Sequence, residues 1–194
     1  VFIDREIEGY FTNIVMIDNE GAAFKAAEHC LDLGHKRIGF ISGPLDIRIL
    51  TDRFKGYRKA LQENGIEFDQ SLVIEGNQTT QSGREATKQF LSLDDPPTAI
   101  FAVNDLMAIG ALKEIRETGL KVPEDISVVG FDNIPLASLV NPALTTIAQP
   151  IYEMGKEAMS LLVKNIEKKD LTKSKIILDT KLIVRESTAP LKRK

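Results

Sequence analysis

Apolar and polar positions follow two rhythms along this chain, and the rhythms take turns. After Asp18 and Asn19, which stand as cap candidates, GAAFKAAEHCLDLG sets Ala23, Ala27, Cys30 and Leu31 on one face at helical spacing and stops at Gly34. RIGFISG, Arg37 to Gly43, is apolar without alternation, as a strand covered on both faces must be. TDRFKGYRKALQENG returns to the helical period, with Phe54, Tyr57 and Leu61 in one stripe and Gly65 as its terminator. The alternation continues with SLVIEG (strand), SGREATKQFLSL (helix, Ala86 and Phe90 inward), TAIFAV (strand), DLMAIGALKEIRETG (helix, ending at Gly119) and ISVVGF (strand). LTTIAQP reads as an edge or crossover strand. EMGKEAMSLLVKNIEKK is a helix with Met154, Ala158 and Leu162 inward. IILDTKLIVRES is one last strand, and VFIDRE is a strand with no helix before it.

Buried strands separated by single helices predict right-handed crossovers and a parallel sheet with both faces covered. Ligands of such sheets bind outside the carboxyl ends of the strands. Those ends carry Ser42 to Pro44, Gly76 to Gln78, Asn104 with Asp105, and Asp132, so the polar residues gather on one rim. VPEDISVVGFDN poses the sharpest question: a buried strand over Ile126 to Val129 breaks at Gly130 and delivers Phe131, Asp132 and Asn133. A carboxylate there needs partners, and a ligand mouth accounts for it better than a plain cap.

Composition narrows the field. Of 194 residues, 43% are hydrophobic and 27% charged, which excludes disorder and supports a packed core. A net charge of −3 argues against this segment being a nucleic-acid surface by itself. The terminal LKRK reads as a solvated tail. One cysteine, Cys30, rules out an internal disulfide; it reads as a buried structural thiol and permits a reducing compartment. No apolar run reaches the length of a membrane span, and no signal peptide is visible. GFISGP lacks the glycine spacing and Lys-Ser/Thr of a phosphate loop. His29 and His35 have no metal spacing with Cys30, and no Ser-His-Asp set is present; His35 is expected to serve the carboxyl end of its helix. Asp94 and Asp95 read as a solvated turn, and Asp105 as a first-turn residue favoured by the helix dipole. The chain is therefore expected to have no catalytic residues, metal or cofactor.

Taken together, VFIDRE, IDNEGAAFKAAEHCLDLGHKRIGFISGP, RFKGYRKAL, AIFAVNDLMAIGALKEIRETGLKVPEDISVVGFDN, PALTTIAQPIYEMGKEA and LIVREST resemble the effector-binding core of the lac/galactose repressor family nearly end to end. The resemblance implies an α/β fold, a parallel-sheet three-layer sandwich of the periplasmic-binding-protein-like type I kind. One subdomain would be largely complete, over residues 17–148, and the other truncated to residues 1–16 and 151–176. A returning crossover strand would occupy 177–188 and a tail 189–194. Crossovers between subdomains would fall near Met16 to Asp18, Ala148 to Ile151 and Ile176 to Asp179. The DNA-binding headpiece would lie upstream, outside this chain.

The resemblance also carries Arg53, Asn104 and Asp132 onto effector-holding positions. Their chemistry suits vicinal hydroxyls or the edge of a base: Asp accepts, Arg donates a planar fork, Asn does both. The structural alternatives are a solvated charge or a pair with Asp52 for Arg53, and a helix cap for Asn104. Asp4 matches the mouth on the other subdomain or is a strand-end turn residue. Gln149 either touches ligand or pairs with backbone. Phe131 either stacks on a sugar face or fills the core. Ile47 and Ile49, where purine-binding relatives look polar, and Gln78, where they look aromatic, favour a sugar or sugar derivative over a purine.

The implied protein is a cytoplasmic, homodimeric repressor whose small-molecule effector modulates operator binding, with DLMAIGALKEI and IPLASLVNP matching the dimer surfaces of relatives. The alternatives are a sugar-uptake receptor of the same fold, and a regulator whose effector is a partner protein.

Overall fold

The computed structural model describes residues 1–5, 12–168 and 174–192. Its strands form two sheets. β3 (Ile38–Ser42), β4 (Val73–Glu75), β5 (Ala99–Ala102), β6 (Ser127–Asp132), β7 (Thr145–Ala148) and β9 (Lys181–Ile183) lie in the order β4-β3-β5-β6-β7-β9. All of these pairings are parallel except β7 with β9. β1 (Phe2–Ile3), β2 (Ile14–Ile17) and β8 (Lys175–Leu178) form a smaller parallel sheet in the order β1-β2-β8.

The register explains the layers. Phe40 of β3 stands beside Phe101 of β5 and stacks on Tyr57 of α2 (Arg48–Glu63), with ring centroids 4.6 Å apart. Its neighbour Gly39 points the other way, where the Phe90 ring of α3 (Thr80–Leu91) takes the space a Cβ would need. One face is therefore covered by α1 (Asn19–Asp32) with α2, the other by α3 with α4 (Asp105–Glu117). Fully burying each of Phe40, Tyr57, Phe90 and Phe101 contributes about 1.5–3 kcal/mol. Tyr57 satisfies its hydroxyl on the Ile38 carbonyl at 2.8 Å. Cys30 is buried, and burial pushes its thiol up to about 12, so it is an inert part of the core.

Element boundaries depart from the hydrophobic pattern in instructive places. α2 starts at Arg48, three residues before the predicted start at Thr51, because Ile47 is the extended residue ahead of the first turn. β6 does not break at Gly130 but runs on to Asp132, paired with Ala148. The last apolar run is two strands in different sheets. Ile177 and Leu178 still pair with Met16 and Ile17, so the return begins at Asp179 rather than Ile177. In α5 (Ile151–Lys168), which packs on β1 and β2, Leu161 is buried and Leu162 is 39% exposed, the reverse of the expected order. The predicted end of that helix at Lys169, Glu6 of the first strand, and Arg193 and Lys194 lie outside the described residues.

The chain is docked through its backbone as far as Leu191, while the side chains of Leu191 and Lys192 are exposed. The Ala189 amide donates to Ser127 Oγ at 3.1 Å and the Leu191 amide to the Leu33 carbonyl at 2.8 Å. His35 does not serve its helix end. Its ring is buried, with Nδ1 3.0 Å from Thr98 Oγ1 and Nε2 3.0 Å from the Ala189 carbonyl. Asp95 is exposed but paired, 2.9 Å from Arg37 Nε.

Candidate functional site

The parallel register puts the carboxyl ends of β3 to β7 on one edge, and α2, α3, α4 and α5 begin after β3, β4, β5 and β7 on that edge. Asn104 caps α4: its Oδ1 accepts the Met107 amide at 2.9 Å while its Nδ2 donates to the Gln78 carbonyl at 3.2 Å. α1 starts where the chain leaves the small sheet, with Asp18 as its cap and Asn19 as its first residue. α2 contributes Arg53 one and a half turns in, on the side facing the large sheet.

Arg53 is the centre of the arrangement. It is 3% exposed, its guanidinium lies 3.6 Å from the centroid of Phe131, and its Nη1 donates to the Val103 carbonyl at 2.6 Å. Nε donates to Asn19 Oδ1 at 2.8 Å, and Asp132 Oδ1 lies 3.5 Å from Nη1. Asn19 Nδ2 in turn donates to Asp4 Oδ1 at 3.1 Å, and Gln149 Nε2 to Asp132 Oδ1 at 2.7 Å. A chain of side chains therefore runs Asp4–Asn19–Arg53–Asp132–Gln149, from the small sheet across the large one to the β7–α5 crossover. Burial lowers the Arg53 pKa against the pull of Asp132 and Asp4. Burial raises that of Asp132, with Arg53 and Gln149 opposing.

Five of the nine residues singled out from the sequence meet in one place: Arg53, Asp132, Asp4 and Gln149 through the chain of contacts, and Phe131 through its ring. Phe131 is fully buried with its face taken by Arg53, so it is a platform under the site rather than a wall for a sugar. Arg53 makes no pair with Asp52, which bonds Lys55 at 2.8 Å instead. Asn104 is a cap that also holds Gln78, a residue at φ 65° with an exposed side chain. Ile47 is 38% exposed ahead of α2, an apolar edge of the mouth with Leu45.

Sequence reasoning missed three participants. Asn19 is 2% exposed and is the link between Asp4 and Arg53; it was legible only as a cap candidate. Asp105 stands in the first turn of α4 as expected, but it is also fully buried and accepts from Thr146 Oγ1 at 2.6 Å and the Ile134 amide at 2.8 Å, partners the sequence did not show. Arg185 donates to Asn133 Oδ1 at 2.7 Å from beyond β9. Ser42, at the end of β3, is fully buried, and its hydroxyl has no hydrogen-bond partner among the described residues. A separate cleft of about 820 Å³ on the outer side of α2, lined by Lys55, Arg58, Lys59 and Phe68, shares none of these residues.

What this arrangement can do is bind. A guanidinium held on three sides, with the carboxylates of Asp132 and Asp4 beside it, makes a rigid donor-acceptor set for hydroxyl or amine groups. No group of three or more His, Cys, Asp or Glu among the described residues could hold a metal ion.

Residues 27–188 match the model of the periplasmic binding protein-like domain. The chain is 45% identical over 177 residues to the HTH-type transcriptional repressor CytR of Escherichia coli strain K12, covering 91% of this chain and 52% of that protein. Its structure is similar to that of the transcriptional regulator CelR–cellobiose complex, with TM-score 0.90, 37% identity, and 95% and 57% of the two chains covered. It is also similar to a LacI family transcriptional regulator from Enterococcus faecium with bound ribose, with TM-score 0.91, 34% identity, and 99% and 71% covered. The chain spans about half the length of the curated relatives it matches.

Proposed function

Because this chain belongs to the LacI family of transcriptional regulators and carries the periplasmic binding protein-like domain, we propose that it is the effector-sensing part of a DNA-binding repressor. Its ligand is a small molecule, a sugar or sugar derivative, bound over Arg53 and Asp132. The observation that carries this reading is the buried Arg53, its guanidinium 3.6 Å from the Phe131 ring centroid and fixed by Asn19 and Val103 at the rim of the parallel sheet. Such a group is costly to bury and is retained where something must be gripped. Support for a sugar comes from the apolar edge at Ile47 and Leu45 and from the relatives solved with cellobiose and ribose.

In this reading residues 17–148 form one effector subdomain, and residues 1–16 with 151–176 belong to a second. The relatives are about twice as long, and α5 keeps Tyr152, Met159, Val163 and Ile166 exposed. The additional chain of a longer protein would pack on that stripe. The protein works as a cytoplasmic homodimer and reads its operator through a headpiece outside this chain. The ligand acts by binding the two relative orientations of the subdomains unequally, a coupling of typically 1–3 kcal/mol.

Calorimetric titration with pentoses, hexoses, disaccharides and nucleosides tests the site. One of these ligands should bind the wild type and bind Arg53→Ala or Asp132→Ala at least about tenfold more weakly. Equal affinity in the variants removes the site. Absence of binding across the panel removes the sugar reading.

A further inference from the structure

Two consecutive non-glycine residues at the rim, Asp132 at φ 113° and Asn133 at φ 58°, occupy the left-handed side of backbone space. Asn visits that region readily; Asp at 113° does not, and such a conformation persists only where its surroundings over-determine it. The surroundings here are specific. Asp105 Oδ2 accepts the Ile134 amide at 2.8 Å, the Asn133 amide is directed at the same carboxylate, and Oδ1 accepts the Thr146 hydroxyl at 2.6 Å. Arg185 holds the other side, with Nη2 on Asn133 Oδ1 and Nη1 on the Leu144 carbonyl at 2.6 Å.

The puzzle of Gly130 resolves at the same point. A Cβ on Gly130 would overlap Asp105 Oδ1 and crowd the Leu144 and Ala108 side chains. Glycine lets the carboxylate lie against the strand beneath the turn it holds.

We propose that Asp105 is the positioning residue of the effector site: it locks the Asp132–Ile134 turn in its left-handed form and ties that turn to Thr146 on β7. β7 ends at Ala148, next to the Gln149 that bonds Asp132, so one buried carboxylate joins the ligand-facing turn to the strand entering the crossover. This inference rests on the effector reading for its purpose but not for its geometry. The charged groups around Asp105 are the Asp132 carboxylate and the Arg53 guanidinium. A carboxylate can accept on both oxygens at once; an amide in its place turns a donor toward either Thr146 or the turn.

Burial pushes the Asp105 carboxyl up to about 6, so the lock can be followed by titration without any ligand. The experiment is an NMR pH series on this chain, reading the Asp105 and Asp132 carboxyl carbons and the amides of Asn133 and Ile134. Both amides should move with the Asp105 midpoint. In Asp105→Asn that movement should vanish and hydrogen exchange at Ile134 should accelerate about tenfold or more, with α3 amides unchanged. Amides that follow the Asp132 carboxyl, or that keep their wild-type behaviour in Asp105→Asn, overturn the assignment. Should Asp105→Asn not fold, Thr146→Val replaces it: loss of one donor must raise the Asp105 midpoint, and an unchanged midpoint overturns the assignment equally. A failed sugar panel leaves all these readouts intact, so the two readings fall separately.

Discussion

At the residue scale the molecule buries Arg53 of α2 where α1, the end of β5 and β6 meet it. Arg53→Ala would leave Asp132 with Gln149 alone and Asn19 without its donor. Urea unfolding should show a loss of about 2–4 kcal/mol, and Arg53→Lys should recover little, since an ammonium cannot lie on Phe131 while serving Asn19 and Val103. The titrating groups make opposed contributions to stability. Burial pulls His29 and His35 below their ordinary 6.5. The unfolded chain therefore takes up protons first, and the stability these histidines give is full above 6.5 and lost as the pH falls below it. Asp105 has the other sign: raised from 3.8 to about 6, its contribution is full near 3.8 and lost as pH climbs through 6. Between neutral and mildly acid pH, His35→Gln should therefore flatten the acid loss seen in urea midpoints, while Asp105→Asn should steepen it.

At the scale of elements, the helix pairs are set by glycines that the periodic pattern had no means of flagging. A Cβ on Gly56 of α2 would run into the Glu20 carbonyl and the Phe24 amide of α1, backbone that has no room to retreat. Gly155 of α5 has nothing within 4 Å of the same position. Both alanine substitutions gain about 0.5–1 kcal/mol of helix propensity. Gly155→Ala should keep that gain, whereas Gly56→Ala should show a net loss of about 1–3 kcal/mol from forced separation of α1 and α2. Thermal unfolding of the pair separates propensity from packing within one protein.

At the scale of the whole molecule, three leucines stay exposed around the start of α4 and the turn after β6: Leu106 at 42%, Leu136 at 44% and Leu139 at 76%. In the homodimer proposed above they form the apolar centre of the interface. Sedimentation should find a dimer for the full-length protein and a monomer for Leu139→Arg with an unchanged fold. A variant that stays dimeric places the interface elsewhere. The opposite end of the molecule is closed by the chain itself, since His29 and His35 hold Thr188 and Ala189 across more than 150 residues of sequence.

The fold class, the order of helices and buried strands, and the rim carrying Asn104 and Asp132 were legible in the residues. Each depends on local period, on strand polarity, or on the rule that parallel strands share a carboxyl edge. Arg53, inside α2, entered only through the family resemblance. What the tertiary structure decided was partnership. That one apolar run serves two sheets, that the tail docks, and that Arg53 chooses Asn19 over the adjacent Asp52 are matters of distance in space. So is the burial of Asp105, which sits at a helix start like many surface acids and is distinguished only by Gly130 and Thr146. Those partners lie 25 and 41 positions away, and no local pattern encodes which of many polar residues a buried carboxylate will meet.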